Sequence, residues 1–480
     1  MYTIKGRYTS ALITNDEIEE QCITQVSNMI NNVAFDKSVV IQVDGHAGKG
    51  STVGFTMPLG SFLIPNTIGV DIGCGCISVC CGDKLNIKLK DLDDKIREWV
   101  PTGININRDE KRCGSLPNFS FKEQFPWDKV NNTLSKFVVE YNKKFNTNYN
   151  AYPFDYRYFI EKCRDINIKI SRAEASISSL GGGNHFISIS KSNTYDNYWI
   201  DIHTGSRNFG KCICEYHQRI AQNNIYNKRN VTLREKIEDI TKKTKDKSKI
   251  EKLIKDAKVE LGLNSDVNMK GMEYLQDKEA FDYLVDMIFA QQYAEFNRSE
   301  IVKTILEIMG SIEEDRIECI HNYIDFRDFI IRKGAISSYI GERMLVPLNM
   351  ASGILICEGK SNSEFNYSCA HGAGRKFSRS AAKANLNMDE FKKQMKGIYS
   401  TSIIKSNLDE APNSYKNPET IERLLEPTAK IIDRLIPILN IKDNNSGPSW
   451  KERREAKKKD QARKAERGEA NRTKMKSKYK

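Results

Sequence analysis

This 480-residue chain contains only six histidines, and their contexts are uneven. His46, His185, His203, His321 and His371 each lie near Gly, Asn or Asp in short polar segments beside strand-like runs. His217 alone, in CEYHQRI, falls in a plain amphipathic helical pattern and reads as structural. Loops at strand ends are where a rigid scaffold displays catalytic groups. In GVDIGCGC, Asp71 and Cys74 stand three residues apart on a glycine-rich turn that can aim both side chains at one point. A carboxylate and a thiolate with several imidazoles make a mixed hard and soft donor set. Such a set suits Mn²⁺, Fe²⁺, Co²⁺ or Zn²⁺ better than Mg²⁺ or Ca²⁺. Taken alone, Asp71 and Cys74 read as a structural turn with a buried thiol; the joint distribution of the histidines favours a metal. Cys76, Cys80 and Cys81 read as strand residues, with a zinc site using CGC and CC as the alternative.

His371 carries a different signal. It is followed by Gly372, Ala373 and Gly374, then Arg375 and a helix expected over 376–394. Small residues let a bulky ligand approach the backbone, and a helix N-terminus with an arginine favours phosphate. A histidine there serves as metal ligand, general acid–base or phosphoramidate-forming nucleophile. Residue chemistry alone leaves the three open.

The elements that must position these groups alternate strands with glycine-rich turns. Strand patterns cover 39–44, 53–57, 68–72, 76–81, 186–190, 197–203 and 353–359. Helical patterns cover 16–32, 128–145, 172–178, 209–222, 270–310 and 418–437. Residues 231–260 are dense in Lys and Glu with Ile and Leu at helical spacing, and read as a charged helical excursion. The intermixing predicts an α+β (mixed α/β) class, a single large body over 1–445 with central β-sheets flanked by helices. A basic low-complexity tail occupies 446–480.

Composition bounds the rest. Hydrophobic residues make up 39% and charged residues 29%, as in a water-soluble globular chain. No apolar run approaches the roughly 18 residues of a membrane span, and the first residues lack a signal-peptide core, so a cytoplasmic location is the expectation. The 12 cysteines are scattered through a long chain and are expected as reduced thiols. Residues 451–480 hold 14 Lys/Arg against 5 Asp/Glu, so +9 of the net +12 sits in the tail. Such a tail reads as a nucleic-acid-contacting arm or, equally on composition, as a solvated solubility tail.

The motifs VDGHAGKG, GVDIGCG, LGGGNHF, HTGSRNFG, HNYIDF, RKGA, VPLNM, EGK, SCAHGAGRKFSR and LDEAPNSYK, in that order over roughly residues 42–442, resemble the RtcB family of RNA 3′-phosphate/5′-hydroxyl ligases. The resemblance implies a GTP-dependent enzyme with two Mn²⁺ ions. Asp71, Cys74, His185, His203 and His321 match metal ligands, the Cys74 thiolate bridging the ions. His371 matches the histidine that becomes guanylylated. Asn184, Asn349, Tyr415 and Lys442 match residues of the nucleotide pocket, to which Gly372, Ala373, Gly374 and Arg375 are added. Asp44 and His46 resemble a motif near the RNA 5′-hydroxyl end, and Arg207 is a further RNA-end candidate or the partner of a buried carboxylate. The implied partner is RNA with a 3′-phosphate or 2′,3′-cyclic phosphate and a 5′-hydroxyl, tRNA and rRNA included, with no membrane role and any activating protein partner unknown.

One position departs from the pattern. Where the family has an acidic residue three places after the first metal histidine, this chain has Ser188. A hydroxyl does not replace a carboxylate in binding strength, so nucleotide use is expected to differ. Two other outcomes stand beside joining: guanylylation of RNA 3′-phosphates without ligation, and a catalytically weakened metal-containing RNA-binding protein.

Overall fold

The computed structural model describes residues 1–107, 119–260 and 271–444; the expected tail lies outside them. The described body is mixed α/β, as expected. Its main sheet has seven strands in the order Arg343–Asn349, Gly353–Gly359, Ala429–Ile441, Phe186–Ser192, Tyr198–Thr204, Gly75–Cys80 and Asp315–Ile320, and every neighbouring pair is antiparallel. The sheet curls until its two edge strands pack together. There the Arg343 guanidinium donates to the Asp315 carboxylate and to the Arg316 carbonyl.

Period-two alternation decides which side chains enter the curl. Ile77, Val79, Ile187, Ile189, Ile200 and Ile202 point outward and pack on Ile301, Val302 and Ile305 of the helix Asp277–Met309. That helix has Asp277 and Glu279 in its first turn and stops at Gly310, whose φ of 64° is the left-handed cap that favours glycine. Cys76, Trp199, His203 and Phe186 take the opposite, inner face.

A second sheet of six strands runs Tyr2–Lys5, Ser10–Ile13, Val39–His46, Val53–Pro58, Ile330–Lys333 and Asn322–Asp325. A two-stranded ribbon pairs Ala335–Ser337 with Ser368–Ala370. His321 is the residue between the last strand of the seven-stranded sheet and the edge strand of the six-stranded one. His371 directly follows the ribbon. The three sheets therefore deliver their chain ends to one place.

Several expected elements differ. Residues 68–72 are not a strand: a short helix, Pro65–Ile68, runs into a turn where Gly69 and Gly73 take positive φ. The helix expected over 418–437 ends at Leu425, and Ala429–Ile441 is a strand. Its Ile and Leu residues fit both periods, and burial in a sheet decided between them; Pro437 is accommodated at a register shift. The expected 376–394 helix is two short ones, Arg379–Asn385 and Met388–Gln394, the second capped by the Asn387 side chain. The 209–222 helix runs continuously from Arg207 to Lys243, and Lys247–Glu260 folds back against it as the charged excursion. No helix among the described residues is long and apolar enough to cross a membrane.

Candidate metal centre and adjoining cavity

The turn that replaces the expected 68–72 strand is what presents the first two ligands. A Cβ on Gly73 would lie 2.8 Å from the Gln291 backbone, so only glycine lets this loop settle on the long helix. The buried Arg298 guanidinium ties it down by donating to Gly73 O at 2.8 Å and Thr204 O at 3.0 Å. Its Nε meets the Glu318 carboxylate at 2.6 Å. Asn322 Nδ2 donates to Asp71 O at 3.0 Å.

Around that loop the donor atoms converge. Cys74 Sγ lies 3.5 Å from His185 Nε2 and 3.3 Å from His203 Nε2. His203 Nε2 lies 3.3 Å from His321 Nε2, and His185 Nε2 lies 3.1 Å from Asp71 Oδ2. Two potential ligand sets result, Cys74–His203–His321 and Asp71–Cys74–His185, each with its donor atoms within 4.8 Å of one another. Cys74 belongs to both sets. His185 Nδ1 faces Leu180 O at 3.0 Å, which fixes the ring and leaves Nε2 for a cation.

Electrostatics agree with that chemistry. Burial holds His203 and His321 well below the ordinary imidazole range, so both are neutral donors at physiological pH. Burial pushes the Cys74 thiol well above its ordinary value, so a thiolate here requires a cation. Burial alone would raise Asp71, but its contact with His185 and the charge of Arg207 hold it below the usual carboxylate range. The donor set fits a divalent transition ion.

The histidine expected as a nucleophile stands beside this centre. The His321 and His371 ring centroids are 4.6 Å apart. His371 Nδ1 lies 2.6 Å from Asp44 Oδ2. Asp44 was expected near an RNA end; it is instead fully buried beneath His371, which it orients. Lys416 Nζ donates to Val43 O at 3.3 Å and Gly45 O at 3.0 Å, bracketing Asp44. A Cβ on Gly374 would sit 2.3 Å from Asp44 O, so that position must be glycine. His46 does line the cavity, and desolvation lowers it to about 4.

The cavity, about 680 Å³, is bordered by all five ligands and by His371, Asn184, Asn349, Gly372, Ala373, Gly374, Arg375, Tyr415 and Lys442. Arg375 is not free for phosphate. Its Nη1 meets Glu410 Oε1 at 3.2 Å, and its guanidinium stacks over Tyr415 at 5.2 Å. Glu410 is the residue that sequence reasoning missed, although LDEAPNSYK had been singled out for Tyr415. Buried, it accepts from Tyr415 Oη at 2.6 Å, Arg379 at 2.8 Å and Lys442 Nζ at 3.0 Å. Burial alone would raise it, but the charges of Lys442, Arg379 and Arg375 hold it at about 2. Arg207 does not border the cavity: it donates to Ser179 Oγ at 3.0 Å and Gly103 O at 2.8 Å, behind Asp71. His217 pairs with Asp286 at 2.7 Å inside the helical layer, the structural role expected of it.

Fold and site together define an α/β protein with a mixed His–Cys–Asp cluster that could hold metal, opening into a cavity of about 680 Å³. The chain belongs to the family described as tRNA-splicing ligase RtcB, which matches residues 25–443. It is 26% identical to the RNA-splicing ligase RtcB of Escherichia coli K12, over 88% of this chain and 95% of that protein. It is 23% identical to the tRNA-splicing ligase RtcB of Nanoarchaeum equitans, over 91% and 94%. With RNA-splicing ligase RtcB homolog 2 of Entamoeba dispar the identity is 21%, over 90% and 86%.

Proposed function

We propose that this protein is a GTP- and Mn²⁺-dependent RNA ligase that joins 3′-phosphate or 2′,3′-cyclic phosphate ends to 5′-hydroxyl ends through a His371–GMP intermediate. The observation that carries the reading is the buried Asp44 carboxylate against Nδ1 of His371, a residue that lines one cavity with five side chains able to hold metal. Asp44 fixes the tautomer with the proton on Nδ1 and leaves the Nε2 lone pair as nucleophile.

Nε2 attacks the α-phosphorus of GTP; the P–N bond forms and pyrophosphate leaves. Asp44 balances the positive charge that develops on the ring. An oxygen of the RNA 3′-phosphate then takes the guanylate, breaking the P–N bond and restoring neutral His371. A 5′-hydroxyl attacks the activated 3′-phosphorus, loses its proton, and displaces GMP. A cyclic phosphate is first opened by water to the 3′-phosphate. Divalent ions held by Asp71, Cys74, His185, His203 and His321 would supply charge neutralisation for the phosphates and acidify the attacking hydroxyl. Gly372–Gly374 leave room for phosphate against the backbone, and Asn184 and Asn349 border the same space. The RNA ends approach on the His46 side. The natural substrate is an RNA with such ends, tRNA and rRNA included, and the enzyme works in the cytoplasm.

Incubation with Mn²⁺ and α-labelled GTP gives a covalent adduct that is acid-labile, alkali-stable and missing in His371→Ala. A protein that binds metal and RNA yet never labels overturns the reading. RNAs with and without a 5′-hydroxyl partner separate joining from 3′-end capping.

A further inference from the structure

In the cavity wall, the carboxamide oxygen of Asn440 has no partner among the described residues. The residue is only 4% exposed. Strand pairing sets it directly opposite Ser188. Two residues further on, Lys442 Nζ lies 5.8 Å from the Phe186 ring centroid. These four side chains line the same cavity as His371 and the candidate ligand set, with the Phe186 ring 5.7 Å from that of His203.

The charged groups near Asn440 are already committed. Lys442 Nζ faces Gly183 O at 3.3 Å, His185 O at 3.4 Å and Glu410 Oε2 at 3.0 Å, which uses its three protons. Tyr415 Oη gives its proton to Glu410. Ser188 Oγ donates to Leu439 O at 3.0 Å. The carboxylates among the cavity-lining residues are Glu19 and Asp71, on the six-stranded-sheet side and in the metal centre. What remains to recognise a ligand here is a carboxamide, with lone pairs of Ser188 beside it.

We propose that Asn440 reads the base edge of the nucleotide and that the pocket therefore accepts adenine as well as guanine. This rests on the nucleotide-binding reading above. A carboxamide offers one donor and one acceptor side by side. For guanine it donates to O6 and accepts from N1–H; turned by 180° it accepts from the adenine amino group and donates to N1. A carboxylate in its place only accepts; it can take both N1–H and the 2-amino group of guanine, a donor pair that adenine lacks, and so favours guanine. Asn440 is thus a specificity-determining residue, and the neutral Asn440–Ser188 pair relaxes the choice between the two purines.

The experiment measures equilibrium binding of GTP and of ATP to the full-length Mn²⁺-loaded protein by calorimetry, alongside labelling by each α-labelled nucleotide. The two affinities are expected within about tenfold of each other. Asn440→Asp lowers ATP affinity by about tenfold or more relative to GTP affinity, the scale of one well-made bidentate base contact. Asn440→Leu weakens both alike, with an unchanged melting temperature reporting the fold. A wild-type preference for GTP above about 100-fold, or a ratio unmoved by Asn440→Asp, overturns the proposal while labelling by GTP leaves the ligase reading standing. Binding of both purines without labelling sinks the ligase reading and keeps this one. Failure of both nucleotides to bind removes both readings.

Discussion

The two halves of the cavity are finished to different degrees. On the metal side, Cys74, His203 and His321 gather neutral or acid-shifted donors around a point where they mainly face each other. Elsewhere in the cavity wall, Glu410 engages Arg375, Arg379, Lys442 and Tyr415 before any ligand arrives. The first arrangement is completed by a cation, whereas the second is completed by the protein itself. Residues of the first half therefore report on ligand binding, and residues of the second report on folding and pocket shape.

The largest expected effect comes from breaking the first half at its shared atom. Cys74→Ser removes a ligand from both sets, so bound metal measured by elemental analysis falls from two ions per chain to one or none, and labelling drops by about 100-fold or more. The melting temperature in chelator stays near that of the wild type, because the apo fold does not depend on this donor. Equal loss of stability with and without metal counts against the shared-ligand geometry.

Asp44→Asn tests the coupling between the halves. It keeps the shape beneath His371 but not the charge, so adduct formation slows by about 10² to 10⁴, the range for misplacing a proton-transfer partner. Metal content is unchanged. If metal is lost as well, Asp44 acts through the centre rather than through His371.

Glu410→Gln addresses the second half. Removing one partner of a buried charge cluster costs about 3–5 kcal/mol, read as a lower denaturation midpoint with or without metal. The pH dependence follows from its depressed value. Glu410 titrates at about 2 in the fold and near its ordinary 4.5 when unfolded. Its stabilisation is fully present above about 4.5 and is lost as pH falls towards 2. Glu410→Gln should flatten that limb of the stability profile.

The smallest effect is reserved for the tail. Deleting 446–480 leaves nucleotide labelling unchanged and reduces the salt dependence of RNA binding, each lost phosphate contact lowering the slope by about one. An unchanged slope assigns the tail to solubility.

The same contrast separates what was legible in the sequence from what was not. The candidate ligand cluster was legible because Asp71, Cys74 and His185 stand in glycine-rich turns, with His203 and His321 at or beside strand ends. Glu410 was not, since a glutamate in a loop looks the same whether it faces water or four polar partners. The strand at 429–441 was missed because its Ile and Leu positions satisfy two periods at once. Arg298 was not legible either, because it sits among Glu295, Asn297, Ser299 and Glu300 as a surface arginine would, and its carbonyl targets lie on distant turns.

By itself, then, the amino-acid order determined which chemical groups were available, the α/β class and the order of the motifs. Tertiary structure alone decided that Asp44 sits under His371, that Arg375 spends its charge on Glu410, and that Asn440 is left unpaired at the cavity wall. Local residue types set what a group can do. Which group meets which depends on sheet register and curl, and these are fixed by contacts between residues hundreds of positions apart.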